Sequence, residues 1–498
     1  MENFYRLHID GKDRVASDHA TFSVENPADG SVMCEVAAAT SEDVAAAVAA
    51  ASQAVADGRW SRLRGRDRAR TLQRVAQLLS ERIEELAELE TRQIGRPLRE
   101  MRAQLARVPE WFEYFGSLAQ TVEGTIPDFG GQHLNYVQRV PIGVAGLVTP
   151  WNHPLLITTK KLSAAIAAGN SVVVKPSEYA PLAPLELAAI CEEAGVPPGV
   201  VNVVPGWGAT AGKALGEHPG LARVDFTGGT VTGRRVAAAA GQNLTPVTAE
   251  LGGKAPVVVF DDVDTERAAA AAAFAAFIAT GQTCVQGARL LVQRSAYQRV
   301  TDAFVERAAG LRVGEPMSAD TQVGPLSSRE QLERVAAAVA RAQEEGATVL
   351  CGGRPCDDPP LDRGHYYPPT VLADVTPDMT VWHEEIFGPV TVVTAFDDEA
   401  EAVRLANDTP FGLAASVWTR HLGRAHRVAD RIDAGIVWVN DHHRIDPASP
   451  WGGVKDSGMD RENGIAAYHS YTRPKSTIVN TSDESFDWFG TADELRYS

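Results

Sequence analysis

The chain has no block of lysines and arginines. Its 47 basic residues are spread among 498 positions and outnumbered by 64 acids, a formal net charge of −17. That balance offers no attraction to a polyanion, so neither nucleic acid nor an anionic membrane is an expected partner. Long apolar runs are missing too. No stretch approaches the ~18 uninterrupted apolar residues of a membrane helix, and the most apolar segment, Ala268 to Ala279, suits a packed helix. Met1 to Asp10 carries charges and aromatic rings where a secretory signal has its apolar core, so the expected location is cytoplasmic. Cysteine is scarce and odd in number: Cys34, Cys191, Cys284, Cys351 and Cys356. Such an isolated set argues against a disulfide framework. Cys351 and Cys356 lack the CxxC spacing of a zinc knuckle, so no metal is expected and the two receive no role.

What is present describes a globular chain too long for one core, so two or three domains are expected. A short strand pair is expected either side of Asn26-Pro27-Ala28-Asp29-Gly30, a turn sequence. Three helical stretches follow, roughly Ser41 to Ala56, Arg66 to Gln93 and Pro97 to Ala119, the first opened by Ser41 with acids at the next two positions. From Gly143 to Glu250 the rhythm changes. Short apolar runs (Val144 to Val148, Ser171 to Val174, Val200 to Val204, Arg223 to Phe226, Pro246 to Ala249) alternate with helical stretches, the pattern of a parallel sheet with crossover helices. The alternation resumes from Ala255 to about Thr419, with strands near Val257 to Val259, Ala288 to Leu291 and Val390 to Thr394. Two α/β units result, the first expected to bind a nucleotide.

One pairing carries the chemistry. Cys284, in Thr280-Gly281-Gln282-Thr283-Cys284, follows Glu250, in Thr248-Ala249-Glu250-Leu251-Gly252-Gly253-Lys254, across one strand and one Ala-rich helix. A thiol that attacks a carbonyl makes a thioester, and a carboxylate can activate the water that releases it. Taken singly, such a cysteine is more often a small buried side chain, and such a glutamate a polar residue closing a strand. Dinucleotide-type loops are present as well. Phe226-Thr227-Gly228-Gly229-Thr230-Val231-Thr232-Gly233 follows a strand and opens a helix, but Gly206-Trp207-Gly208-Ala209-Thr210-Ala211-Gly212 also follows a strand, and position alone does not choose between them. Glu178, in Lys175-Pro176-Ser177-Glu178, could bind a ribose diol and repel a 2′-phosphate, which favours NAD over NADP.

These segments, with Pro150-Trp151-Asn152-His153-Pro154, Glu385-Ile386-Phe387-Gly388-Pro389 and Pro450-Trp451-Gly452-Gly453, stand in the order found in the aldehyde dehydrogenase superfamily, which the chain resembles to about residue 480. The resemblance implies an α/β fold of two Rossmann-like parallel-sheet domains and a small β oligomerisation arm. The implied division is 1–121 with 142–252 for NAD binding, 253–456 for catalysis, 122–141 with 457–482 for the arm and return segment, and 483–498 for a tail. It places the cofactor over Gly228, Gly229 and Gly233 rather than over the Gly206 turn. It gives Lys175 and Glu178 the adenosine ribose, Trp151 the cofactor cleft, Glu385 the nicotinamide ribose and Phe387 the ring. In the implied reaction Cys284 attacks an aldehyde, the Asn152 amide and the Cys284 N–H hold the alkoxide, and Glu250 activates water. Lys161 and Glu462 match a paired lysine and glutamate of the family that would relay the proton away.

Departures from the family bear on substrate. His153 stands where an aromatic residue is common, and Lys160 where many members are bulky and apolar. The loop after Asn440 reads Asp441-His442-His443-Arg444-Ile445-Asp446. With Thr283, Val285 and Trp451, these residues (His153, Lys160, His443, Arg444, Ile445) are candidates for a tunnel whose cations would suit a carboxylate-bearing or polar semialdehyde, unless Arg444 pairs with a neighbouring aspartate. Asp460 replaces a glycine and Gln286 a small residue. The aromatic run Phe486-Asp487-Trp488-Phe489 is expected to dock on a protein surface. β-type alternation near Val122 to Arg139 and Ser470 to Asn480 fits a strand arm of a homodimer or homotetramer. Set against the hydrolytic oxidation of an aldehyde are oxidation of a neutral aldehyde, a coenzyme-A-acylating dehydrogenase, a non-redox thioesterase and a fold kept without turnover.

Overall fold

A computed structural model describes residues 3–483 and 489; Phe486, Asp487 and Trp488 of the aromatic tail run lie outside the described residues, so its expected docking does too. Two sheets, each carrying helices, organise the chain. The first has eight strands in the order Gly458–Met459, Val247–Glu250, Arg223–Thr227, Val144–Val148, Ser171–Lys175, Val201–Val203, Leu7–His8 and Asp13–Arg14. Its central strands, from Val247–Glu250 to Val201–Val203, run parallel, and antiparallel pairs close both edges. The second has seven, in the order Thr348–Cys351, Thr370–Ala373, Val390–Phe396, Gly287–Gln293, Ala255–Val259, Ala414–Trp418 and Ile436–Val439, parallel except for its first pair. Ser171–Lys175 and Ala255–Val259 are buried along their whole length. That is why they read as continuous apolar runs rather than as alternation. The expected α/β class and its parallel sheets are present.

Local departures have local causes. The helix expected from Arg66 to Gln93 is two, Gly65–Glu81 and Ile83–Ile94, broken where Arg82 leaves helical geometry at φ −113° and ψ 10°. The next also divides, into Leu98–Leu105 and Pro109–Thr121, because Pro109 has no N–H to continue a helix but suits a first turn. Ser41 is the first helical residue and not the cap. Thr40 caps the helix Ser41–Asp57 and exchanges bonds with Asp43. The Ala-rich run forms Thr265–Phe277, and no helix among the described residues is long and apolar enough to cross a membrane. His133–Pro141 and Thr472–Asn480 pair antiparallel over nine positions as an isolated two-stranded sheet.

The chain passes from the first sheet to the second at Leu251–Lys254, directly behind the nucleophile loop. A Cβ on Gly253 would stand 2.2 Å from the Cys284 carbonyl oxygen, and one on Gly252 2.4 Å from Glu385 Oε2. Backbone and side chain here approach more closely than any other residue allows. Gly253→Ala is therefore expected to lower the urea midpoint of unfolding by an amount equivalent to about 2 kcal/mol. Gly241→Ala, in helix Thr230–Gln242 with nothing within 4 Å of the new methyl, should move it the other way by about 0.5 kcal/mol.

Candidate active site

Glu250 is the last residue of its strand, and Cys284 lies in the loop before strand Gly287–Gln293. That loop is pinned from several sides. Ala279 and Thr280 adopt left-handed backbone, at φ 55° each, a conformation ordinary residues hold only when their surroundings require it. The Glu100 carboxylate accepts from Ala279 N–H at 3.1 Å, and Gln282 Oε1 accepts from Ser327 N–H at 2.9 Å. Gln286, the departure two residues beyond Cys284, donates to Ala276, Gly388 and Val390 carbonyls and so ties the loop to helix and sheet. Asn152 Nδ2 donates to the Gln282 carbonyl at 2.9 Å. One of its two amide hydrogens is thereby used to orient the side chain, and the other remains for a ligand.

Cys284 stands between two cavities. One, of about 260 Å³, is lined by Cys284, Glu250, His153, Lys160, Thr283, His443, Ile445, Trp451 and Glu462 among others. The second, of about 230 Å³, is lined by Cys284, Glu250, Asn152, Trp151, Glu385 and Phe387. It continues into a cleft of about 650 Å³ that holds Lys175, Glu178, Gly228 and Gly229. Pro150, Trp151, Thr227, Gly228 and Gly229 line both of these last two spaces. Trp151 and Phe387 meet edge to face at 5.3 Å.

The Gly206 segment, expected to lie off the ligand path, supplies the opposite wall through Gly208 and Gly212. Both glycine runs converge because both follow strands of one sheet, Val201–Val203 and Arg223–Thr227, which run in the same direction with two strands between them. Gly233 is corrected in the other sense: its missing side chain makes room for Leu251, whose Cδ2 would lie 2.3 Å from an added Cβ, and it does not line the cleft.

Charge in the site is almost wholly compensated. Lys161 Nζ donates to both Asp225 and Glu462, and Lys160 Nζ lies 2.6 Å from the other Glu462 oxygen. Tyr471 donates to Asp225 at 2.5 Å. Burial opposes the Lys161 charge, yet Asp225 and Glu462 outweigh it and raise its pKa. Burial likewise opposes the Glu462 charge, but Lys160 and Lys161 hold its pKa down to about 2. Glu250 is the exception. Neither of its carboxylate oxygens has a hydrogen-bond partner among the described residues. Burial, then the Glu462 charge, push its pKa well above the usual carboxylate range. Cys284 is pushed up to about 12 by burial and by Glu250 and Glu385.

Several expected substrate contacts are redirected. Arg444 is exposed, pairs with Asp441 at 3.1 Å and does not line the cavity. Val285 is fully buried and turned away, packed in a cluster that holds Trp438 and Trp451, while its carbonyl accepts from His442 Nε2 at 2.8 Å. Lys160 lines the cavity but is bound to Glu462 and lies 4.9 Å from the Trp451 ring centre, so it is no free cation. Missing from the sequence reading were Arg96, Glu100 and Gln104, which line the cavity, and Asp225 with Tyr471 behind it. Glu100 and Gln104, four apart on helix Leu98–Leu105, were an available signal, since that spacing puts two polar groups on one helical face, with Arg96 just ahead of the helix. Asp460 pairs with Arg223 and accepts from Thr248 at 3.1 Å, holding the segment before Glu462 against the strand that ends in Glu250.

With this geometry in view, the comparisons are consistent. A sequence model of the aldehyde dehydrogenase family matches residues 15–477, and the chain belongs to that family. Among solved structures, PnpE from Pseudomonas sp. WBC-3 is 42% identical with a TM-score of 0.95, over 97% of this chain and 99% of that one. Betaine aldehyde dehydrogenase from Staphylococcus aureus, solved with NAD+, is 36% identical with a TM-score of 0.96, over 98% of this chain and 96% of that one. An aldehyde dehydrogenase from Bacillus cereus in complex with NAD+ is 39% identical with a TM-score of 0.93, over 96% and 97%.

Removing the carboxylate shared by two buried lysines should be costly. Glu462→Gln is expected to lower the urea midpoint by the equivalent of about 3 kcal/mol, whereas Arg444→Gln, at an exposed pair, should shift it by less than about 0.5 kcal/mol.

Proposed function

We propose that the chain oxidises an aldehyde to a carboxylic acid with NAD, through a thioester on Cys284 that water hydrolyses. The observation carrying this reading is that Cys284 opens on two cavities at once, with the unpartnered Glu250 carboxylate lining both. In this reading the first sheet carries the cofactor-binding domain and the second the catalytic domain. A dinucleotide fits the continuous cleft, whose open space above Gly208 and Gly229, where a Cβ would meet nothing within 4 Å, admits backbone approach to a pyrophosphate. Lys175 and Glu178, joined at 3.1 Å, would hold the adenosine ribose. Glu385, fixed by Gly253 N–H at 2.9 Å, would hold the nicotinamide ribose, with Trp151 and Phe387 beside the ring. What the cofactor supplies is a hydride acceptor.

Cys284 Sγ adds to the aldehyde carbon, and the second Asn152 amide hydrogen with the Cys284 N–H receives the developing alkoxide. Glu250, free of other bonds, takes the proton of the water that attacks the thioester. Its raised pKa makes it a strong base once ionised. Glu462, which lines the same cavity, is kept ionised by Lys160 and Lys161, so it sets the charge beside Glu250 rather than taking up its proton. The hydrolytic role of Glu250 favours this reading over transfer to coenzyme A. The strand pair His133–Pro141 and Thr472–Asn480, too small to be stable alone and exposing Leu134, Ile478 and Val479, would pair with a second copy of the chain.

Glu250→Gln should give one burst of about one NADH per subunit and then stall, with the acyl group trapped on the enzyme, while Cys284→Ala should give none. Unchanged steady turnover in Glu250→Gln would overturn the assignment. Both reacting groups act deprotonated and both have raised pKa values. The rate should therefore climb with pH between about pH 6 and 9, as read by initial NADH formation in a series of buffers.

A further inference from the structure

His153 and His443, adjacent rings lining the cavity that Cys284 faces, are the least explained groups in it. The His153 ring is fixed in one protonation form by what surrounds Nδ1. Arg96 Nη1 lies 2.7 Å from Nδ1, and Gln104 Nε2 lies 2.9 Å away. A guanidinium donates and never accepts, so Nδ1 must be the bare acceptor. The ring proton is then on Nε2, which has no partner among the described residues. Burial, followed by the Arg96 charge, holds the pKa well below 6.5, in agreement with a neutral ring. Arg96 is locked in turn, through Nε on Glu100 at 2.8 Å and Nη1 on Gln104 Oε1 at 2.9 Å. His443 faces this ring at 6.0 Å between centres, with Nε2 3.5 Å from Thr283 Oγ1, next to the nucleophile. Burial, then His442 and Arg96, take its pKa down to about 3, so it too is neutral. It sits at φ 61°, a backbone setting that a histidine adopts only where tertiary contacts impose it.

The cations of the same cavity do not offer a seat for an anion. Arg96 is bound to Glu100, Arg107 to Glu110 at 2.8 Å and Lys160 to Glu462 at 2.6 Å. A substrate carboxylate would have to displace one of these carboxylates or be desolvated without a charge partner, which is costly. A neutral oxygen meets no such obstacle: it accepts from His153 Nε2–H and, if it is a hydroxyl, donates to His443 or Thr283.

We propose that His153, with its tautomer set by Arg96 and Gln104, and His443 form a neutral hydrogen-bonding clasp for a hydroxyl or oxo group on the aldehyde, so that the preferred substrate is an uncharged oxygenated aldehyde. This rests on the reading of Cys284 and Glu250 given above. The clasp confers selectivity because an analogue without the oxygen leaves a desolvated N–H unpaired.

The test measures kcat/KM from NADH formation for butanal and benzaldehyde, each beside its hydroxylated and carboxylated counterparts, including all three hydroxybenzaldehyde isomers. The wild type should favour at least one hydroxylated member over its parent by about 10-fold, and His153→Phe should bring that ratio to near one through KM. His443→Asn, which tolerates the same backbone and shortens the side chain, provides a second variant should His153→Phe fail to fold. Equal rates for parent and hydroxylated aldehydes in the wild type, or a ratio that survives in both variants, would overturn the clasp and leave the dehydrogenase reading intact. Preference for the carboxylated aldehydes would overturn it in favour of anion recognition. No NADH from any aldehyde would overturn the dehydrogenase reading and the clasp together.

Discussion

The site depends on the close crossing of two backbone segments where the sheets meet. The passage Leu251–Lys254 runs against the back of the Cys284 loop at a distance that only glycine permits, and it hands the chain from the strand ending in Glu250 to the strand beginning at Ala255. Because the crossing fixes where one sheet stands relative to the other, it also fixes the separation of base and nucleophile, which belong to different sheets. Two rigid parallel sheets transmit that constraint outward. The glycine-lined cleft lies at the carboxyl ends of strands in the first, and the nucleophile loop is tied to the second through Gln286 and to helix Leu98–Leu105 through Glu100.

A second constraint is the neutralisation of buried charge around the site. Lys160, Lys161, Asp225 and Glu462 form one compensated group, Arg96 and Glu100 another, and in the midst of them the Glu250 carboxylate is left without a bond. Buried ion pairs contribute little net stability, but they hold their members in place. The paired groups thus act as a fixed frame. The two unpaired reacting groups, Cys284 and Glu250, carry the perturbed pKa values that such isolation produces.

How far the molecule was legible from its sequence follows the same division. The parallel sheets were readable because strands buried on both faces must be continuous apolar runs, and Val144 to Val148 and Ser171 to Val174 lie within strands as expected. Helix breaks were less visible. Pro109 announced one of them, but nothing local in the run from Arg66 to Gln93 announced the turn at Arg82. Among site residues, Cys284, Glu250, Asn152, Glu385 and Phe387 sit in motifs of fixed local pattern and come together as expected. The basic loop from His442 to Arg444 misled, because a count of cations does not reveal that Arg444 turns outward to Asp441 or that His442 is spent on the Val285 carbonyl.

By itself the sequence determined the element types, the order of the motifs and the chemistry their side chains can perform, since these follow from periodicity, turn residues and functional groups that are local properties of the chain. Only the tertiary structure decided which groups are free to act. Whether Lys160 is an anchor or one arm of a buried ion pair, which nitrogen of His153 carries its proton, and that both glycine runs line one cleft all depend on partners tens to hundreds of positions away. Those partners become neighbours through sheet pairing and burial, and it is burial that makes an unpaired polar group costly enough to fix its state.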